Sequence, residues 1–189
     1  MKIRESGMPE QELWETLFDV ETILSRLEIN SKINDIVEVG CGYGTFTIAT
    51  SKKIRGILHA FDIEKEMIEF VRNRAKHESI ENIKLYHKDI ITETTNLNPG
   101  TIDYVMLFNI LHHENPDDLL NESFRILKQG GKVGIIHWRS DIKTPRGPDL
   151  SIRPKPEEIV SWLNKSQWES CTKPFILEPY HYGLIISKK

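Results

Sequence analysis

The 189-residue sequence contains only two cysteines, Cys41 and Cys171, which excludes a disulfide framework and a cysteine metal cluster. It lacks any apolar run near the ~20 residues that cross a bilayer. Its opening stretch, "MKIRESGMPEQE", holds no apolar segment suited to a signal peptide. Net charge is scarce too: 28 acidic against 25 basic side chains leave −3, a balance that favours neither wrapping nucleic acid nor adhering to anionic lipid. Internal repeats and low-complexity tracts are absent. These absences predict one reduced, cytoplasmic domain, and 39% hydrophobic content suits a full core. The expected partner is a small molecule, with no nucleic acid and no membrane, bound by a monomer or homodimer.

What the chain does have is alternation. Leu13, Leu17, Val20, Leu24 and Leu27 recur at helical spacing, with Pro9 in a first turn and Asp19 able to cap a second helix. Strands are expected over 35–39, 56–62, 83–89, 102–109 and 132–138. Between them helices are expected over 44–53, 64–77 and from Asn115-Pro116 to Leu127, the last closed by Gly130-Gly131. A loose stretch covers 91–101. Residues 139–156 hold four of the nine prolines and read as an ordered loop, followed by a short helix over 156–164. "FILE" and "HYGLIIS" are separated by too few residues for a crossover helix, so they pair antiparallel. The fold class predicted is α/β: a doubly wound, mostly parallel seven-stranded sheet, helices on both faces, ending in an antiparallel hairpin. Its parts are a helical cap (1–30), a ligand-binding core (33–138), a substrate-side loop (139–155) and a C-terminal helix and hairpin (156–189).

In such sheets the ligand sits at the carboxyl ends of the strands. The first strand ends in "DIVEVGCGYGTF", with glycines at 40, 42 and 44. Glycine there lets the backbone approach a ligand closely. A dinucleotide fingerprint would need its third glycine at residue 45, which is Thr45. The carboxylate of Glu38 would repel a pyrophosphate but suits a ligand bearing an ammonium or sulfonium. An NAD(P) oxidoreductase therefore fails at two positions.

Glu38 to Gly44 resembles the first motif of class I S-adenosylmethionine (AdoMet) dependent methyltransferases, small-molecule branch, including those of quinone biosynthesis. The resemblance covers residues 33–138 well and 156–189 fairly. It implies that Glu38, Gly40, Gly42 and Gly44 serve the methionine end. Asp62, with Ile63 and Met67 beside it, would take the ribose, and Asp89 with the Ile90 N–H the adenine. The Asn109 carbonyl would lie near the ammonium. It also implies the cofactor, AdoMet, and in-line methyl displacement. A scaffold or sensor domain that binds AdoMet without turnover is the alternative.

"FNILHHENPDD" follows the fourth strand and lacks the paired prolines of enzymes that methylate nucleic-acid amines. His112 and His113 are the base candidates, since imidazole titrates near neutrality. Otherwise one packs on the cofactor while the other is solvated. With Glu114 they make a poor metal triad, because adjacent loop residues rarely converge, so no metal is expected. After the fifth strand, Trp138, Arg139 and Arg146 are placed to receive a planar or anionic acceptor. A loop tied by its own ion pairs explains the same residues. Trp14 and Phe18 flank the N-terminal stripe, which forms either a lid or plain packing on the sheet.

Overall fold

The structure, a computed structural model, describes residues 9–113, 115–163 and 167–189. Glu114 and Asn164 lie outside the described residues, as do the first eight residues of the cap.

The N-terminal stripe breaks into two helices, α1 (Gln11–Glu15) and α2 (Val20–Arg26). Asp19 enforces the break by accepting the Thr22 N–H at 3.1 Å through Oδ1. Leu17, Leu24 and Leu27 are buried, but Leu13 is 41% exposed and leaves the stripe. Then come β1 (Ile36–Val39), α3 (Thr45–Ser51), β2 (Leu58–Asp62), α4 (Lys65–His77), β3 (Ile83–His87) and α5 (Ile90–Glu93). The chain continues through β4 (Ile102–Phe108), α6 (Pro116–Ile126), β5 (Leu127–Trp138), α7 (Pro156–Trp162), β6 (Trp168–Cys171), β7 (Phe175–Leu177) and β8 (His181–Lys188).

The sheet order is β3-β2-β1-β4-β5-β8-β6, with β7 also pairing β8. Strands β1 to β5 run parallel, and β8 enters antiparallel against β5, β6 and β7. The expected β7–β8 hairpin is present. The sheet has eight strands rather than seven, because β6 escaped the sequence reading. Its four residues hold two exposed positions, too short a pattern to register.

Two further expectations change. Residues 90–93 form one helical turn that runs into the stretch 91–101 read as loose. Gly130-Gly131 does not close α6, which ends at Ile126 with Leu127 already extended. The glycines lie in a bulge of β5, where residues 127 and 132 face 102 and 104. That insertion needs an unusual backbone, and Gly130 has φ +72°.

Alternation along β4 from Tyr104 onward divides the core between the two faces, and Ile102, before the irregularity between 102 and 104, breaks the pattern. Tyr104, Met106 and Phe108 face the layer of α2, α3 and α4, whereas Ile102, Val105 and Leu107 face that of α6 and α7. Successive strands step from β1 to β2 to β3 on one side and from β4 to β5 on the other. The order therefore reverses between β1 and β4, where a crevice opens at their carboxyl ends.

Candidate functional site

That crevice is a cleft of about 730 Å³ lined by the strand-end loops of β1, β2, β3, β4 and β5, with Pro9 and Trp14 over it. The β1 loop is held from beneath. The Gly40 and Cys41 N–H groups both donate to the Phe61 carbonyl at the end of β2, at 2.8 and 3.1 Å. Gly42 donates to Asp62 Oδ2 at 2.8 Å, and Glu64 to Asp62 Oδ1 at 2.9 Å. One carboxylate thus ties the β1 loop to the end of the neighbouring strand, β2. Gly40 and Gly44 have φ of +77° and +75°; a Cβ would meet Ile110 Cγ2 or Val71 Cγ2 at 3.0 Å. Backbone conformation and close approach both demand glycine. Burial raises the Asp62 pKa against those two stabilising N–H bonds.

Glu38 lies behind the loop, 2% exposed, and does not line the cleft. Its Oε2 accepts the Thr47 hydroxyl at 2.6 Å, while burial pushes its pKa up to about 8. Gly44 and Met67 also stand outside the lining. Gly40, Gly42, Asp62, Ile63, Asp89, Ile90 and Asn109 all line it. Asp89 caps α5, its Oδ1 accepting the Ile91 N–H at 3.0 Å. Asn109 sits at φ +58° with its N–H on the Ile136 carbonyl, and its Oδ1 is buried without a hydrogen-bond partner among the described residues. A buried acceptor of that kind costs stability unless a donor meets it.

Much of the remaining lining is aromatic and apolar, with Trp14, Phe108, Leu119, Trp138 and Ile152, and it includes His112, His113 and Arg146. Trp14 is brought over by two ties, Tyr43 Oη donating to the Pro9 carbonyl at 3.1 Å and Arg74 pairing with Glu15 at 2.7 Å. Trp14 and Trp138 meet edge to face at 6.4 Å. The His181 ring lies tilted against Trp138, with centroids 4.2 Å apart, and burial holds that imidazole neutral, its pKa lowered to about 3.

Of the three residues expected to receive an acceptor, Trp138 and Arg146 line the cleft and Arg139 does not. Arg139 pairs bidentately with Asp141 at 3.0 and 2.8 Å. The loop is folded around Arg153 instead. That guanidinium donates to the carbonyls of Pro148, Arg139 and Arg146 at 2.8, 2.8 and 3.3 Å, and lies 5.7 Å from the Trp138 ring. Gly147, φ +105°, packs on Trp138 so closely that a Cβ would stand 2.8 Å from the ring. Sequence reasoning also missed Phe61, Lys88 and Phe108 as lining residues, and within the loop it expected on the substrate side it singled out Arg146 but not Gly147, Pro148, Asp149, Ser151 or Ile152, which line the cleft too. The strand-end positions of the first three were the available signal; the loop offered none.

Among the described residues no group of three potential ligands could hold a metal ion, and no helix is long and apolar enough to cross a membrane.

The comparisons with known proteins agree with this geometry. A family model described as "Methyltransferase domain" matches residues 36–131. The chain is 28% identical over 116 residues to the demethylmenaquinone methyltransferase of Geobacillus sp. (strain WCH70), covering 60% of this chain and 48% of that protein. It spans less than two thirds of the curated relatives it matches. In structure it resembles a SAM dependent methyltransferase from Aquifex aeolicus, with a TM-score of 0.81 at 20% identity over 94% of this chain and 93% of the other. It also resembles the [4+2]-cyclase SpnF, at 0.73 and 12% identity, over 98% and 85%.

Proposed function

Because this chain belongs to the methyltransferase-domain family, which implies AdoMet as the cofactor, we propose that it methylates a small, planar, largely apolar acceptor. The observation that carries this reading is the aromatic and apolar part of the cleft lining, Trp14, Phe108, Leu119, Trp138 and Ile152, with Arg146 its one arginine among the described residues. A macromolecular acceptor would be better served by an open basic face. The similarity to a quinone-pathway enzyme supports the same substrate class.

The residues present fit the cofactor. The loop 40–44 and the unpaired Asn109 Oδ1 offer a backbone seat and an acceptor for a cationic amino-acid end. Asp62, its oxygens keeping lone pairs beyond the two N–H bonds, suits a diol. Asp89 and the Ile90 N–H suit an adenine edge. When bound, AdoMet supplies an electrophilic methyl group on a sulfonium. The protein's part is to hold the acceptor in line with it and exclude water, so positioning provides much of the acceleration. Trp14, Trp138 and Ile152 would hold the acceptor's faces, with Arg146 receiving an anionic or polar substituent.

The fold alone does not oblige methyl transfer, since a cyclase shares it. Binding and turnover are therefore tested separately. Calorimetric titration is expected to show AdoMet and S-adenosylhomocysteine binding and NADH not binding. Methyl transfer from labelled AdoMet to a panel of hydroquinones and phenols tests the acceptor class. Binding without transfer to any planar acceptor would overturn the substrate reading and leave the cofactor.

A further inference from the structure

The helix α1 brings Trp14 to the cleft, yet none of its five residues is buried. A helix without a buried face takes its place from its polar ties, together with what Trp14 gains against Phe18 at 4.9 Å and Trp138 at 6.4 Å. Both ends of α1 are tied at one residue of the loop after β1. Before the helix, the Pro9 carbonyl accepts the Tyr43 hydroxyl at 3.1 Å. At its last residue, Glu15 Oε1 accepts Arg74 Nη1 at 2.7 Å, and the same nitrogen donates to the Tyr43 carbonyl at 3.4 Å.

Tyr43 is itself held from the other side. It stands between Gly42 and Gly44, whose φ values are +50° and +75°. Its ring meets Phe70 of α4 edge to face at 5.2 Å. A Cβ at Gly44 would reach Val71 of the same helix at 3.0 Å. Phe70, Val71 and Arg74 share one face of α4 by helical spacing, so that face backs the loop. The hydroxyl is therefore the tip of a ring whose position is set by the β1 loop and α4, independently of α1.

We propose that Tyr43 is a positioning residue for the acceptor: it seats α1, and with it Trp14, so that the loop beneath the cofactor also sets one aromatic face of the acceptor site. The sequence reading names the glycines on either side of Tyr43 but not Tyr43. Its side chain does not line the cleft, so its effect reaches the acceptor only through Trp14. When α1 shifts, the gap between Trp14 and Trp138 changes, and with it the space for a planar molecule. The bonds that hold the floor, from Gly40, Cys41 and Gly42 to the end of β2, do not involve the hydroxyl. The acceptor role rests on the methyl-transfer reading; the seating of α1 does not.

Tyr43→Phe keeps the ring on Phe70 and removes only the hydroxyl. The chain has four tryptophans, and the indole N–H signal of Trp14 is assigned by its loss in Trp14→Phe. In ligand-free Tyr43→Phe that signal should shift and the Trp138 signal follow, while Trp162 and Trp168 stay in place. Amide exchange over residues 11–17 should quicken roughly fivefold, the equivalent of one neutral hydrogen bond, with α2 unchanged. In methyl transfer to the hydroquinone and phenol panel, the KM for the acceptor should rise by about the same factor, with kcat and calorimetric AdoMet affinity kept within about twofold. A general loss of stability would move all four indole signals and would not split KM from kcat. Should Tyr43→Phe not fold, Arg74→Ala, which removes the second tie, must shift the Trp14 signal in its place. An unmoved Trp14 signal would overturn the seating, and a moved one with unchanged acceptor KM would overturn the acceptor role. A failed methyl-transfer reading would appear instead as absent AdoMet binding in calorimetry, with the Trp14 shift still present.

Discussion

The cleft has two halves that are built differently. Its floor, the loops after β1, β2 and β4, is held by backbone N–H groups on carbonyls and on one carboxylate, each bond spanning adjacent strands of the sheet. Its roof, α1 and residues 139–153, is held by side chains that reach across: Tyr43 to Pro9, Arg74 to Glu15, Arg153 to three carbonyls. A floor made of main chain is rigid and indifferent to most side-chain changes. A roof made of single side chains changes whenever one of them changes. The arrangement suits a fixed cofactor beneath and a variable acceptor above.

The largest break in this contrast should come from Asp62→Ala. The Gly42 and Glu64 N–H groups lose their acceptor and the diol loses its partner. With about 1.5–3 kcal/mol for each charge-assisted bond, AdoMet affinity in calorimetry should fall by roughly 100-fold or more. Retained affinity would mean that the floor is held by something other than that carboxylate.

Glu38 tests the floor by pH. Its folded pKa, about 8, stands above the ordinary 4.5, so the native state binds more protons than the unfolded state between those values. Stability should decline as pH rises through that window. Glu38→Gln, which still accepts the Thr47 hydroxyl, should flatten the decline, with up to about 5 kcal/mol recovered at alkaline pH. Denaturant midpoints across the window check it; parallel curves for both proteins would show that Glu38 is not the group responsible.

Arg153→Met should act on the roof alone. Losing three donors to carbonyls costs about 2 kcal/mol and should open residues 141–152 to protease, with AdoMet affinity kept within about twofold. Loss of cofactor affinity would show the halves to be coupled. The smallest effect belongs to Arg74→Ala, whose partner Glu15 is half-exposed. Screening and side-chain entropy limit it to at most about 1 kcal/mol in thermal unfolding.

The same division explains what could be read in the sequence. Floor residues announce themselves locally, because a glycine with positive φ and an acid at a strand end are properties of position in the chain. Gly40, Gly42, Asp62, Asp89 and Asn109 all reached the cleft. Roof contacts depend on which distant elements meet. Arg139 and Arg153 have the same chemistry and stand in one loop, yet Arg139 pairs with Asp141 while Arg153 organises the loop. Leu13 kept helical spacing but not burial, because the helix ended before the stripe did. The parallel, doubly wound succession of strands and helices was legible from alternation, and β6 was not, its pairing being supplied wholly by β8.

That strand sets the order in which the molecule can be assembled. β6 and β7 are both made before β8, yet each is paired to it, and β8 alone joins them to β5. Neither can take its place until residues 181–188 have been synthesised and have paired with β5. Trp138 pairs with His181, the first residue of that strand. The loops after β1, β2 and β4 can thus be formed before β8 is made, but the Trp138 side of the cleft is closed only by β8, through contacts distant in sequence and therefore slow to form.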